Sequence, residues 1–163
     1  MEDRSYTKLI KLLLPAALGT VGMIYSNIHC ISIMNKPRYA LKNFKHPYKP
    51  WEVKDDESFR GYRATVNQVE WLVYAIPTYT FAVIFSPMYP VVGAVNVGQV
   101  APWFCYALSV LYCKGNIEYL KGYMKSAEDR IPGFKLRLNA FKGMFFTLCG
   151  GMVCYGARSF DVI

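Results

Sequence analysis

Charge is scarce in this chain. Of its 163 residues, 18% are Asp, Glu, Lys or Arg, where a soluble domain of this size carries about a quarter. Acidic residues are the scarcer kind, 11 against 19 basic, and the net charge is +8. Sustained period-two alternation is missing, so β structure is a poor fit. Internal repeats and low-complexity segments are missing too. None of the five cysteines (Cys30, Cys105, Cys113, Cys149, Cys154) forms a C-x-x-C pair, and neither histidine is spaced with them as a metal ligand. Buried free thiols and no metal site are therefore expected. A small-residue cleavage site is also lacking after the first apolar stretch, which Lys11 interrupts, so that stretch reads as retained rather than as a signal peptide.

What is present is apolar side chain. Hydrophobic residues make up 53% of the sequence, and the mean hydropathy is +0.15, which excludes a disordered chain. About 20 apolar residues cross the hydrocarbon of a bilayer. Four stretches qualify: Leu9 to Met34, Ala64 to Phe85, Val91 to Cys113, and Met144 to Tyr155. The last extends backward through Phe134, Leu136, Leu138, Ala140 and Phe141, interrupted by Lys135, Arg137 and Lys142. As a helix the first is about 39 Å long, enough to cross with tilt. The expectation is an all-α chain, a single four-helix transmembrane domain over 1–163 with up-down topology and helices near 9–34, 60–86, 90–130 and 134–157. A soluble bundle is the alternative, disfavoured because the second and third stretches are apolar on nearly every face. The prolines of Ser86-Pro87-Met88-Tyr89-Pro90 end one helix and start the next. The long segment from Asn35 to Ser58 reads as a polar loop.

The basic residues are placed unevenly. With four crossings, the termini and the short link share one side, which holds four basic residues (Arg4, Lys8, Lys11, Arg158) against fifteen on the other. Basic segments stay in the cytosol. The long loop, the segment between helices three and four and the active face are therefore expected to be cytosolic, and both termini luminal. A basic face of this kind attracts anionic membrane lipid. Nucleic acid is not an expected partner, because no soluble domain is available to carry it.

Ionisable residues at membrane depth are costly and mark function by default. Helix two opens with Arg60, Arg63, Asn67 and Glu70, with Trp71 beside them. Positions 63, 67 and 70 fall within about 60° of one another on a helix. An anion site, an amide and a cation site in one column suit a small zwitterion. An internal Arg63–Glu70 salt bridge, with Asn67 bonded to a neighbouring helix, accounts for the same spacing. Helix three carries Tyr119, Tyr123, Ser126 and Arg130 at i, i+4, i+7 and i+11, one face if the helix is unbroken until Ile131-Pro132-Gly133 stops it.

These segments resemble a known family. Arg63-Ala64-x-x-Asn67-x-x-Glu70 resembles the helix-two motif of the MAPEG superfamily, the membrane-associated proteins of eicosanoid and glutathione metabolism. Tyr119-x-x-Gly122-Tyr123-x-x-Ser126-Ala127-x-x-Arg130 resembles its helix-three motif. Gly133-Phe134-x-Leu136 and Lys36-x-Arg38 are similar to elements of the microsomal glutathione S-transferases of the leukotriene-conjugating branch. The resemblance implies a homotrimer in the endoplasmic reticulum or, second, the outer mitochondrial membrane. It implies glutathione as co-substrate, held between subunits by Arg63, Asn67, Glu70, Tyr119 and Tyr123, with Arg38 added from the adjoining subunit. Arg130 would activate the thiol. Thr65, Trp71 and Tyr39 depart from the family pattern, and a non-catalytic lipid-binding relative, or a structural subunit of a larger membrane complex, is the alternative they favour.

The implied chemistry is simple. A thiol of ordinary pKa is only about 3% thiolate at neutral pH, and the thiolate is the nucleophile. A permanently charged arginine in low dielectric favours the anion. The second substrate is expected from the lipid, as an apolar electrophile or a lipid hydroperoxide; transferase and peroxidase share the thiolate step.

Overall fold

The structure is a computed structural model. It describes residues 3–40, 56–92 and 94–160; the side chains of 3–9, 34–40 and 56–62 are outside the description. Four helices dominate: α1 (Asp3–Ala40), α2 (Asp56–Phe85), α3 (Val97–Lys125) and α4 (Ile131–Ser159). Between α2 and α3 lie one 3-10 turn (Ser86–Met88) and a two-residue hairpin, β1 (Val91–Val92) with β2 (Val95–Asn96).

The expected helices are all present, with shifted ends. Both α1 and α2 reach further into the polar segment between them than hydropathy suggests, since a helix can extend beyond its apolar stretch. Helix α3 begins at Val97 rather than near 90, because the hairpin occupies the intervening residues. Its start is set by Asn96, whose Oδ1 accepts from the backbone N–H of Gln99 at 3.3 Å.

The larger correction concerns the end of α3. The helix stops at Lys125, not 130. Ser126 leaves the helical region (φ −153°, ψ 164°), and its N–H still bonds the Gly122 carbonyl at 3.0 Å. Its hydroxyl accepts from Asp129 N–H at 3.0 Å, an alternative to continuing the helical ladder. Residues 127–130 form a turn. Ile131-Pro132-Gly133, expected to stop α3, instead opens α4, with proline in the first helical turn where its missing N–H costs nothing.

Successive helices run antiparallel: Gly19 meets Tyr79 across α1 and α2, Gln68 meets Asn116 across α2 and α3, and Gly115 meets Arg137 across α3 and α4. Helix α1 packs on α2 and α3, and α4 packs on the same pair from the other side. Tyr79 donates its hydroxyl to the Pro15 carbonyl, and Tyr89 ties the interhelical link to α4 through the Thr147 carbonyl at 2.9 Å.

Among the described residues, two segments are long and apolar enough to cross a membrane, Ile10–Ile33 and Arg63–Met88. Four were expected. Glycine, serine and tyrosine dilute α3, and Lys135, Arg137 and Lys142 interrupt α4. Large apolar side chains nevertheless face outward on all four helices, among them Val21, Val73, Phe104 and Val153.

The inside is layered. One apolar cluster gathers Met23, Ala75, Tyr79, Tyr112, Ala140 and Met144. A second gathers Cys30, Ala64, Tyr119, Leu120 and Tyr123. Between them lies a buried polar layer of Gln68 from α2, Asn116 from α3 and Arg137 from α4, in which Gln68 Nε2 donates to the Asn116 carbonyl at 3.2 Å and Arg137 Nη1 to Asn116 Oδ1; α1 buries Ser26 and Asn27. All five cysteines are free, Cys30 and Cys105 buried and the others half-buried.

Candidate functional site

The second apolar cluster adjoins a cleft of about 350 Å³ where α2, α3 and the start of α4 meet. Helix α2 supplies Asn67 and Trp71, α3 supplies Tyr119, and the α3–α4 turn and α4 supply Arg130, Phe134 and Arg137. Among the described residues, no acidic side chain lines it.

Three of the residues singled out in the sequence meet here. Asn67 donates from Nδ2 to the Tyr119 hydroxyl at 3.1 Å, fixing α2 against α3 at the cleft. The Tyr119 ring stacks on that of Tyr123, centroids 5.7 Å apart and 15° from parallel. Arg130 then lies over the Tyr123 ring, its Cζ 4.8 Å from the centroid. Arg130 thus reaches the tyrosines by a route other than the expected one: the chain turns after Ser126 and brings it back, rather than holding it on an unbroken helix face.

The other predicted residues are placed differently. Arg63 and Glu70 are exposed on α2 and do not line the cleft. Tyr123 is buried behind the lining rather than in it. Arg38 is on the last turn of α1, and its side chain lies outside the described residues. A single chain therefore assembles Asn67, Tyr119, Tyr123 and Arg130 but does not bring Arg63 and Glu70 to the same cleft.

Arg137 went unrecognised in the sequence, where it reads only as an interruption of the fourth apolar stretch. It is 1% exposed. Its Nη1 donates to Asn116 Oδ1 at 3.1 Å, and its Cζ lies 4.6 Å from the Tyr119 centroid, 5.0 Å from Trp71 and 5.7 Å from Phe134. Among the described residues no carboxylate pairs with it, and its Nε has no acceptor. Asn116 Nδ2 in the same layer is likewise unpartnered, as are the side-chain oxygens of Gln68 and, on α1, Asn27. A buried cation costs several kcal/mol after relaxation, and each ring face returns about 0.5–2 kcal/mol. The signal that finds Arg137 is the rule that charge within an apolar helix marks a site, applied to the fourth helix as it was to the second.

Chemically the cleft offers two guanidinium groups, one amide, a tyrosine hydroxyl and an aromatic wall. Positive charge beside apolar rings can receive an anion carried on a partly apolar body. Compared with known proteins, the chain matches no protein-family model and no curated protein.

Proposed function

We propose that this chain is an integral membrane four-helix protein that binds glutathione and activates its thiol for attack on a lipophilic electrophile or a lipid hydroperoxide. The observation that carries the reading is the meeting of Asn67, Tyr119 and Arg130, from α2, α3 and the following turn, at one cleft that no acidic side chain lines among the described residues. Those residues belong to the two motifs that resemble the MAPEG superfamily, and a cation there favours the thiolate over the thiol.

In this reading Arg130 is the activating residue. Tyr119 and Asn67 position the bound peptide, and Tyr123 holds Arg130 in place. Arg63 and Glu70, exposed on α2, serve the glutathione ends from a site completed by a second copy, in a homotrimer. The Trp71 and Phe134 side of the cleft admits the apolar second substrate from the lipid. The endoplasmic reticulum is the proposed location, with the cleft on the cytosolic face.

Ultraviolet thiolate absorbance on titrating glutathione into the detergent-purified protein tests this. Wild-type protein is expected to give a saturable thiolate signal at neutral pH, and Arg130→Ala to lose at least about nine-tenths of it while keeping its helical circular dichroism and oligomer size. A wild-type protein without signal that co-purifies only with a larger assembly would be a structural subunit instead.

A further inference from the structure

Arg137 is left over by the proposed mechanism, yet it shares the cleft with Arg130. A guanidinium is permanently charged and presents five donors in a fixed fork. Here one donor meets Asn116 Oδ1, the rings of Trp71, Tyr119 and Phe134 cover its faces, and Nε–H is buried with no acceptor. Ring faces attract a cation but accept no in-plane hydrogen bond, so the Nε–H edge of the fork is unsatisfied. Salt-bridged structural arginines have a carboxylate at that edge; this one, among the described residues, has none. The titratable groups around it are Tyr112 and Tyr119 from α3 and Cys30 from α1. Arg130 adds a second positive charge in the cleft, and α2 contributes Asn67 and Trp71, neither of them ionisable.

We infer that Arg137 and Arg130 together form a two-cation subsite in the cleft that holds the ionised sulfur of the bound thiol. The inference rests on the glutathione reading and deepens it, because it assigns the thiolate to a pair of arginines rather than to one. On binding, the S–H bond breaks with its electron pair kept on sulfur and its proton released to bulk water. The anion then supplies the charge that Arg137 lacks within the protein. Two features favour sulfur over one of the peptide's carboxylates. The subsite is lined by Trp71, Tyr119 and Phe134, which suit a soft, weakly hydrated anion. It also lies apart from Arg63, the exposed cation on α2.

Two probes separate the possibilities: glutathione, and S-methylglutathione, which has the same carboxylates and no ionisable sulfur. Each is titrated into wild-type, Arg137→Met and Arg137→Gln protein, with thiolate absorbance followed across pH for glutathione. The expected result is that both variants raise the midpoint of the bound thiol by about one pH unit or more, the size of one near charge, while S-methylglutathione binds all three proteins within about threefold. That unchanged binding also shows that the variants are folded; if one of the two substitutions fails to fold, the other gives the same reading. Equal loss of both ligands would assign Arg137 to a carboxylate and overturn the inference while leaving glutathione binding intact. An unchanged thiol midpoint in the variants would reduce Arg137 to a packing role and overturn it likewise. Failure of both ligands to bind wild-type protein would overturn the glutathione reading itself.

Discussion

Tyr119 does two things at once. Its hydroxyl accepts from Asn67, and its ring both stacks on the Tyr123 ring and meets the Arg137 guanidinium. The two roles are separable by substitution. Tyr119→Phe removes one neutral hydrogen bond, worth about 1 kcal/mol, and keeps the ring under Arg137. Tyr119→Leu removes the ring as well and leaves a buried cation with one fewer face, adding about 1–2 kcal/mol. Unfolding in detergent should rank wild type above Phe, and Phe above Leu; equal losses for Phe and Leu would place the whole effect in the hydroxyl. Tyr119 and Asn67 were both legible in the sequence, because helical spacing isolates them on polar faces. Arg137 was not, since a basic residue at the start of an apolar stretch resembles ordinary interfacial charge. Only the register of α2, α3 and α4 brings Gln68, Asn116 and Arg137 together.

At the scale of elements, the junction of α3 and α4 decides whether the cleft exists. The two helices touch backbone to backbone: a Cβ on Gly133 would come within 2.1 Å of Tyr119 N, and one on Gly115 within 2.6 Å of Arg137 N. Main chain cannot swing aside as a side chain can, so even one methyl group must push the helices apart. Gly133→Ala is expected to cost about 3 kcal/mol or more, at the upper end for overpacking, and to weaken the thiolate signal by displacing Phe134 and Arg137. Gly156→Ala, on the same helix with nothing within 4 Å of the new Cβ, is the control. It should be neutral or stabilise by up to about 1 kcal/mol through helix propensity. Similar thermal shifts for both would mean that the close approach is not what matters. This junction also marks the limit of periodicity as a guide. The existence of four helices follows from long apolar runs, which have few other solutions. The break at Ser126 follows from one hydroxyl capturing one N–H, and Tyr119, Ser126 and Arg130 keep helical spacing whether or not the helix continues.

At the scale of the molecule, the distribution of polarity is turned inside out. A polar layer lies within, while Ile28, Val73, Phe104, Phe146 and Val153 face outward. In water so many exposed apolar groups would drive association; in hydrocarbon they cost nothing. With successive helices antiparallel, the start of α1, the end of α4 and the β1–β2 hairpin lie at one end of the molecule, and the end of α1, the start of α2 and the α3–α4 turn lie at the other with Arg130 and the cleft. By sequence the basic residues divide four to fifteen between the segments expected on the two sides, so the orientation proposed from the positive-inside rule has the cleft end in the cytosol. A glycosylation acceptor tag appended to either terminus should be modified when the chain is made on endoplasmic reticulum membranes, and the same tag inserted between residues 41 and 55 should not. The reverse pattern would put the cleft in the lumen. It would also count against the proposed chemistry, because reduced glutathione dominates the cytosolic pool while the lumen is held more oxidising. Membrane orientation and thiol supply are thus one question for this molecule: the proposed chemistry needs the cleft end in the cytosol, the side on which the positive-inside rule expects its more basic segments.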